Sequence, residues 1–321
     1  MKMSSVGRRH WIVLAILAMV VPRAISQQRS AKAKDRNTDV ERGKYLVEAV
    51  AICFECHSER DFIKPGWPIP RGRAGGGRIL WGEGTPAPVI APNISPDKTT
   101  GIGAWTDQEI IRAIRDGVGR NGQPLNPEMP SRYFHQLSDG ELTSIITYLR
   151  SIPPVHHRLP RMKEYVPSNA GPTIAMDGLQ LKYSSDQVKR GEHLVRLAGC
   201  ETCHTPTNGN GYIKGLEFAG GTVFRHGHQA AATSNLTPDA SGISYYDETK
   251  FLQVIRTGRV GARPLLSAMP WLFYRNMTDE DLKAIFAYLQ ALPPVQHRVD
   301  NKATPTLCRK CGNQHGLGSE N

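Results

Sequence analysis

The chain has 321 residues, 39% of them hydrophobic and 21% charged. That is enough for about two domains, and it excludes both a disordered polyelectrolyte and a multi-span membrane protein. Lys and Arg outnumber Asp and Glu by 40 to 29, yet no aromatic-interleaved basic stripe or recognition-helix pattern accompanies the charge, so nucleic acid is not an expected partner.

Residues 1–26 carry Lys2, Arg8, Arg9 and Arg23 and no acid. Arg8-Arg9 precedes an apolar run, Trp11 to Val21, and Ala24-Ile25-Ser26 offers small residues for a cleavage site. The run is too short to cross a membrane as a helix. The segment is expected to be a signal peptide that sends the chain to the periplasm. The alternative is an uncleaved anchor at the outer face of the inner membrane.

From there one pattern is written twice. Arg42-Gly43-Lys44-Tyr45-Leu46-Val47 leads into C-F-E-C-H, Cys53 to His57, and Arg190-Gly191-Glu192-His193-Leu194-Val195 leads into C-E-T-C-H, Cys200 to His204. Asn93-Ile94-Ser95-Pro96-Asp97 is matched by Asn235-Leu236-Thr237-Pro238-Asp239, and Met129-Pro130 by Met269-Pro270. Each copy closes on Pro-Pro-Val, at Pro153 to Val155 and Pro293 to Val295. The shared order and spacing identify an internal duplication.

Capping boxes predict where helices start. Thr106 with Glu109, and Ser138 with Glu141, satisfy the free N–H groups of a first turn, and Thr278 before three acids does similar work. Leu142, Ile145, Ile146 and Leu149 form one apolar stripe, and Leu282, Ile285, Phe286 and Leu289 form another. No segment shows convincing strand alternation, so the fold is expected to be mainly α, with short helices and much loop. The expected organisation is a signal or anchor at 1–26, repeats at 38–155 and 186–298, a Pro-rich basic linker at 156–185 and a polar tail at 299–321.

In C-x-x-C-H, two thiols can form thioethers to haem vinyl groups while the adjacent imidazole becomes an iron ligand. Cys53/Cys56 with His57, and Cys200/Cys203 with His204, are therefore expected to hold two covalent haem c groups. A zinc half-site or a redox dithiol explains one such motif, but not two at equivalent positions. Beyond the signal lie Met129, Met162, Met176, Met269 and Met277. Only Met129 and Met269 precede proline and occupy matching places, 72 and 65 residues after the histidines. They are the expected sixth ligands, held on loops that proline stiffens. The other three are expected to be filler.

These motifs, together with Phe218-Ala219-Gly220-Gly221, make the chain resemble diheme c-type cytochromes. It is most similar to the cytochrome c subunits of membrane-associated bacterial dehydrogenases acting on alcohols or gluconate. The resemblance spans about residues 38 to 298. It implies two tandem cytochrome c domains, an electron-transfer rather than a catalytic role, a dehydrogenase as donor and a respiratory-chain component as acceptor. Membrane association would come through the partner or the N-terminus. Many such subunits carry three haems, and no third C-x-x-C-H occurs here. A diheme peroxidase is the alternative, but it needs a haem with an open position and acid–base groups beside it. No catalytic residues are expected.

The third pair, Cys308 and Cys311, is followed by Gly312 rather than His. With His315 alone it makes an incomplete zinc site, and a local disulfide is the expectation. His156 and His157 are expected to be solvated, His135 and His193 to flank helices. His226 and His228 lie in a Gly-rich loop near the second haem motif, and as iron ligands they are the less favoured alternative to Met269.

Overall fold

The computed structural model describes residues 37–321 apart from 65–66, 86–87, 161–175, 178, 209–210, 227–228 and 267. The signal segment, Met162 and His228 lie outside the described residues, as do most of the linker positions.

Each copy of the sequence pattern folds into the same succession of helices. In the first, α1 covers residues 37–50, its last turn Leu46–Val50 widened to π geometry. It is followed by α2 (Cys53–Cys56), α3 (Asp107–Asp116), α4 (Ser131–Phe134) and α5 (Asp139–Ser151). In the second come α6 (Asp186–Leu197), α7 (Cys200–His204), α8 (Glu248–Thr257), α9 (Trp271–Tyr274) and α10 (Asp279–Ala291). The capping boxes at Thr106 and Ser138 are both formed, and Thr278 accepts from the Asp281 amide at 3.2 Å.

The structure is mainly helical, but among the described residues it adds five two-stranded antiparallel hairpins. Several strands have only two to four residues. Alternation needs a longer run to register in a sequence, so these hairpins were invisible to it.

The closing helix of each copy crosses the opening one at a glycine. A Cβ on Gly43 would stand 1.9 Å from the Ser144 carbonyl oxygen, and one on Gly191 would stand 2.0 Å from that of Ala284. Arg42 and Arg190, one residue earlier, reach the N-terminal turn of the same closing helix, at Glu141 (3.3 Å) and Asp281 (2.6 Å). The repeated Arg-Gly is thus a helix-crossing device.

The copies share one continuous apolar core, in which Leu46, Leu142 and Ile145 join Leu194, Leu282 and Tyr288. Helix α4 packs on α6, and α9 packs on the end of α1. The polar rim is reciprocal. His193 of α6 pairs with Glu141 of α5 at 3.0 Å, and Tyr45, at the equivalent place in α1, donates to Asp281 of α10 at 2.5 Å. Burial raises the cost of ionising Glu141, but the His193 imidazole and the Ser138 amide outweigh it and hold the carboxyl at about 2. His193, read as a helix-flank residue, is an interface residue.

Residues 299–321 are not a free polar tail. Pro305–Leu307 pairs with Gln314–Gly316 in a hairpin, and Cys308 and Cys311 are buried against Leu216 and Ala219.

Candidate functional site

The two C-x-x-C-H segments are built alike. The residue before the first cysteine takes left-handed backbone in both copies, Ile52 at φ 43 and Gly199 at φ 64. This corner breaks the long helix and starts the short one. One turn then presents two cysteines and a histidine together. Burial pushes the Cys53 and Cys200 thiols up to about 12, so in the bare polypeptide the thiol is favoured over the thiolate.

Each histidine is oriented by a backbone carbonyl. His57 Nδ1 lies 2.7 Å from the Pro92 oxygen, and His204 Nδ1 lies 2.8 Å from that of Ser234. A carbonyl only accepts, so the proton sits on Nδ1 and the lone pair on Nε2. Burial lowers both imidazole pKa values, with the carbonyl bonds opposing. Both rings are thereby favoured in the neutral form that can bind a metal.

The orienting carbonyls belong to the residues just before Asn93 and Asn235. Those two side chains fix the turn. The Asn93 Nδ2 donates to the Val155 carbonyl at 2.7 Å and that of Asn235 to the Val295 carbonyl at 2.8 Å. Their Oδ1 atoms accept from the Ser95 and Thr237 amides, at 2.9 Å each. The Asn-x-Ser/Thr-Pro-Asp and Pro-Pro-Val repeats therefore form one device, which ties the closing segment to the histidine's partner. Asp97 completes it: hydrogen bonds from Thr99 and Thr100 hold its carboxyl well below the usual carboxylate range.

The Met-Pro loops also match. Pro130 has φ −82 and ψ 47, Pro270 φ −80 and ψ 45. The amides of Met129 and Met269 donate to carbonyls three residues earlier, at 2.9 Å in both. Both side chains are half-buried against the core. Met277 is fully buried and Met176 packs in the same core.

One cavity of about 1420 Å³ is lined by all four of these cysteines, both histidines, Met129 and Met269. That exceeds the ~300–1,000 Å³ typical of a single small-molecule site. The remaining lining is largely apolar, including Ile102, Phe134, Leu149, Phe251 and Ile285. Arg132 also lines it, and among the described residues its buried Nε has no hydrogen-bond partner. Two thiols, a neutral imidazole and a thioether, present twice in an apolar cavity, are the donors that covalent haem requires. The orphaned Arg132 donor suits an acidic group such as a haem propionate.

Comparison with known proteins points to cytochromes c. No family model matches the chain. It is 30% identical to the gluconate 2-dehydrogenase cytochrome c subunit of Pantoea cypripedii, over 82% of this chain and 62% of that protein. It is 26% identical to the cytochrome c subunit of the quinone alcohol dehydrogenase of Gluconobacter oxydans, over 88% and 61%. The chain is similar to dehydrogenase cytochrome c subunits. A diheme cytochrome c-type protein of Cereibacter sphaeroides is 25% identical over 76% of this chain and 83% of its own length. The chain thus spans about three-fifths of the dehydrogenase subunits it matches first.

Two sequence expectations are corrected. His157 is not solvated: its Nδ1 lies 3.0 Å from the Gly76 carbonyl and its Nε2 3.5 Å from Glu59. Cys308 and Cys311 form no local disulfide and stand as free thiols. One residue of that region was missed altogether. His297 is fully buried, with Nδ1 2.9 Å from the Ala219 carbonyl. The signal was present, because His157 and His297 each lie two residues beyond the Pro-Pro-Val of their copy. His135 is exposed beside Asp116, as a helix-flank residue would be. His226 ends a hairpin strand, Val223–His226.

Proposed function

We propose that the protein is a diheme c-type cytochrome that passes single electrons from a dehydrogenase to a respiratory acceptor. Residues 38–155 and 186–298 are its two cytochrome c domains, joined by the linker 156–185. Cys53 and Cys56 hold one haem c and Cys200 and Cys203 the other. His57 and His204 are the proximal ligands, Met129 and Met269 the distal ones. When bound, each haem supplies a one-electron ferric–ferrous couple. The protein's part is to fix ligand identity, exclude water with apolar walls and favour the reduced state. The soft thioether does the last of these, raising the potential relative to a second imidazole.

The observation that carries this reading is the doubled site: both C-x-x-C-H segments and both Met-Pro loops line one cavity. Two redox groups in a common cavity can exchange electrons directly. Without residues 1–26 the chain keeps 36 Lys and Arg against 29 Asp and Glu, a balance that suits an acidic docking face on a partner. The names of the relatives support a dehydrogenase as that partner, and the Arg8-Arg9 segment supports export to the periplasm. The peroxidase alternative is not favoured, because neither copy lacks its Met-Pro loop.

A pyridine haemochrome assay against protein mass tests the cofactor assignment. Two haems per chain, resistant to acidified organic solvent, are expected. One haem, three haems or extractable haem would contradict it.

A further inference from the structure

The third cysteine pair lies outside the haem cavity, in residues that fold over the loop following the second C-x-x-C-H segment. Around Cys308 and Cys311 the chain makes a tight turn. The Gly312 amide donates to the Cys308 carbonyl and the Cys308 amide to that of Asn313, both at 2.9 Å, with Gly312 at φ 75. Both thiols then point inward, where His315 from the same hairpin and His297 from the end of the second copy meet them. The four ligand atoms lie within 4.8 Å of one another, and no residue of the four is more than 4% exposed.

The imidazoles are pre-set as donors. His297 Nδ1 faces the Ala219 carbonyl at 2.9 Å, leaving Nε2 3.3 Å from Cys308 Sγ. His315 Nδ1 faces the Gly316 carbonyl at 3.1 Å, leaving Nε2 3.4 Å from Cys311 Sγ. This is the outer-shell arrangement that fixes tautomer and ring direction for a metal-bound histidine. Zn–S bonds of ~2.3 Å and Zn–N bonds of ~2.0–2.1 Å at tetrahedral angles would separate N and S by about 3.6 Å. The observed separations are close to that.

The repeat supplies an internal control. His157 occupies the place of His297 in the first copy and makes the same kind of bond, to the Gly76 carbonyl. That bond accounts for a histidine there. It does not account for two thiols and a second imidazole gathered round the other ring nitrogen, where His157 faces Glu59 at 3.5 Å. Nor can the segment rely on hydrophobic burial. Its apolar cluster is Leu216, Ala219 and the two cysteines, with Ile213 and Val295 at the edge. So small a core needs a staple.

We propose that His297, Cys308, Cys311 and His315 bind one structural zinc ion. Two thiols and two imidazoles with no carboxylate select a borderline-soft cation over calcium or magnesium. Binding forms two Zn–S and two Zn–N bonds, releases the two thiol protons and changes no oxidation state. Four protein ligands close the coordination sphere, so the ion is not catalytic. It ties the C-terminal hairpin to the loop under the second haem site. Ala219 accepts from His297, the next residue, Gly220, donates to the His204 carbonyl at 2.7 Å, and the Asn313 side chain donates to the Gly221 carbonyl at 3.1 Å. Asn301 extends the tie to the cavity wall through both backbone groups of Ala232, at 2.7 and 2.9 Å.

The test uses the full-length protein as purified from cells and measures zinc and haem separately. One zinc per chain, retained through dialysis against EDTA, is expected, with zinc-edge X-ray absorption showing two sulfur and two nitrogen neighbours at about 2.3 and 2.0 Å. The Cys308→Ser/Cys311→Ser double variant should lose that zinc and keep its haem content, while His157→Gln should keep both. If the double variant fails to accumulate, the wild-type absorption spectrum still decides. A metal-free wild type with a Cys308–Cys311 disulfide in its non-reduced peptide map would overturn the proposal, and so would zinc bound through oxygen and nitrogen alone or a different metal in the cluster.

Discussion

His57 and His204 owe their tautomer to single carbonyls, and Asn93 and Asn235 owe their place in the chain to holding those carbonyls still. Replacing Asn93 by Ala leaves the buried Val155 carbonyl without its shortest partner, and should cost ~1–3 kcal/mol in chemical denaturation. At the other ligand, the proposed Met–iron bond sets the potential. Met269→His should lower the potential of one haem by on the order of 0.1–0.3 V, within the ~0.8 V open to axial ligation, and leave the other nearly unmoved. Redox titration would resolve the two waves. A shift of both waves, or of neither, would remove Met269 from the coordination sphere.

Between helices, the repeated Arg-Gly has a physical price attached to each letter. A methyl group on Gly191 would meet the Ala284 carbonyl carbon at 2.6 Å and its oxygen at 2.0 Å, so α6 and α10 would have to part. Gly191→Ala, and Gly43→Ala in the first copy, should each destabilise by ~1–3 kcal/mol in thermal or denaturant unfolding. An unchanged midpoint would mean that the helices do not cross there. At this scale the sequence was largely legible. The caps at Thr106, Ser138 and Thr278 and the stripes on α5 and α10 are local patterns with a period, and the haem-type motifs are local spacings. The short hairpins were not legible, because their strands are too short for alternation to register. Nor were the role of Asn93 and the His193–Glu141 contact, because their partners lie 62 and 52 residues away. His297 was missed. Its matching position to His157 is the one signal the sequence holds, and only the folded C-terminal hairpin brings it to Cys308.

Across the whole molecule, the two copies are held by a shared core and a reciprocal pair of polar contacts, His193 with Glu141 and Tyr45 with Asp281. The Glu141 carboxyl stands at about 2, against an ordinary value of 4.5. A depressed carboxyl pKa contributes stability that is complete above about 4.5 and is lost as pH falls towards about 2. Glu141→Gln keeps the capping role at the start of α5 but removes the charge. The variant should therefore be less stable than wild type at neutral pH, with the gap closing between about pH 4.5 and 2 when followed by circular dichroism. A gap independent of pH would show that the charge does not hold the copies together.

The central claim is that two irons sit in this cavity with both sixth positions filled by methionine, which makes the protein a carrier rather than an oxidant of its own. The most direct measurement is the near-infrared sulfur-to-iron charge-transfer band of the oxidised protein, quantified per haem. The band should have the intensity of two Met-ligated haems, disappear by half in Met129→His or Met269→His, and vanish when both are replaced. A band worth one haem in the wild type, together with rapid cyanide binding at the other iron, would contradict the account.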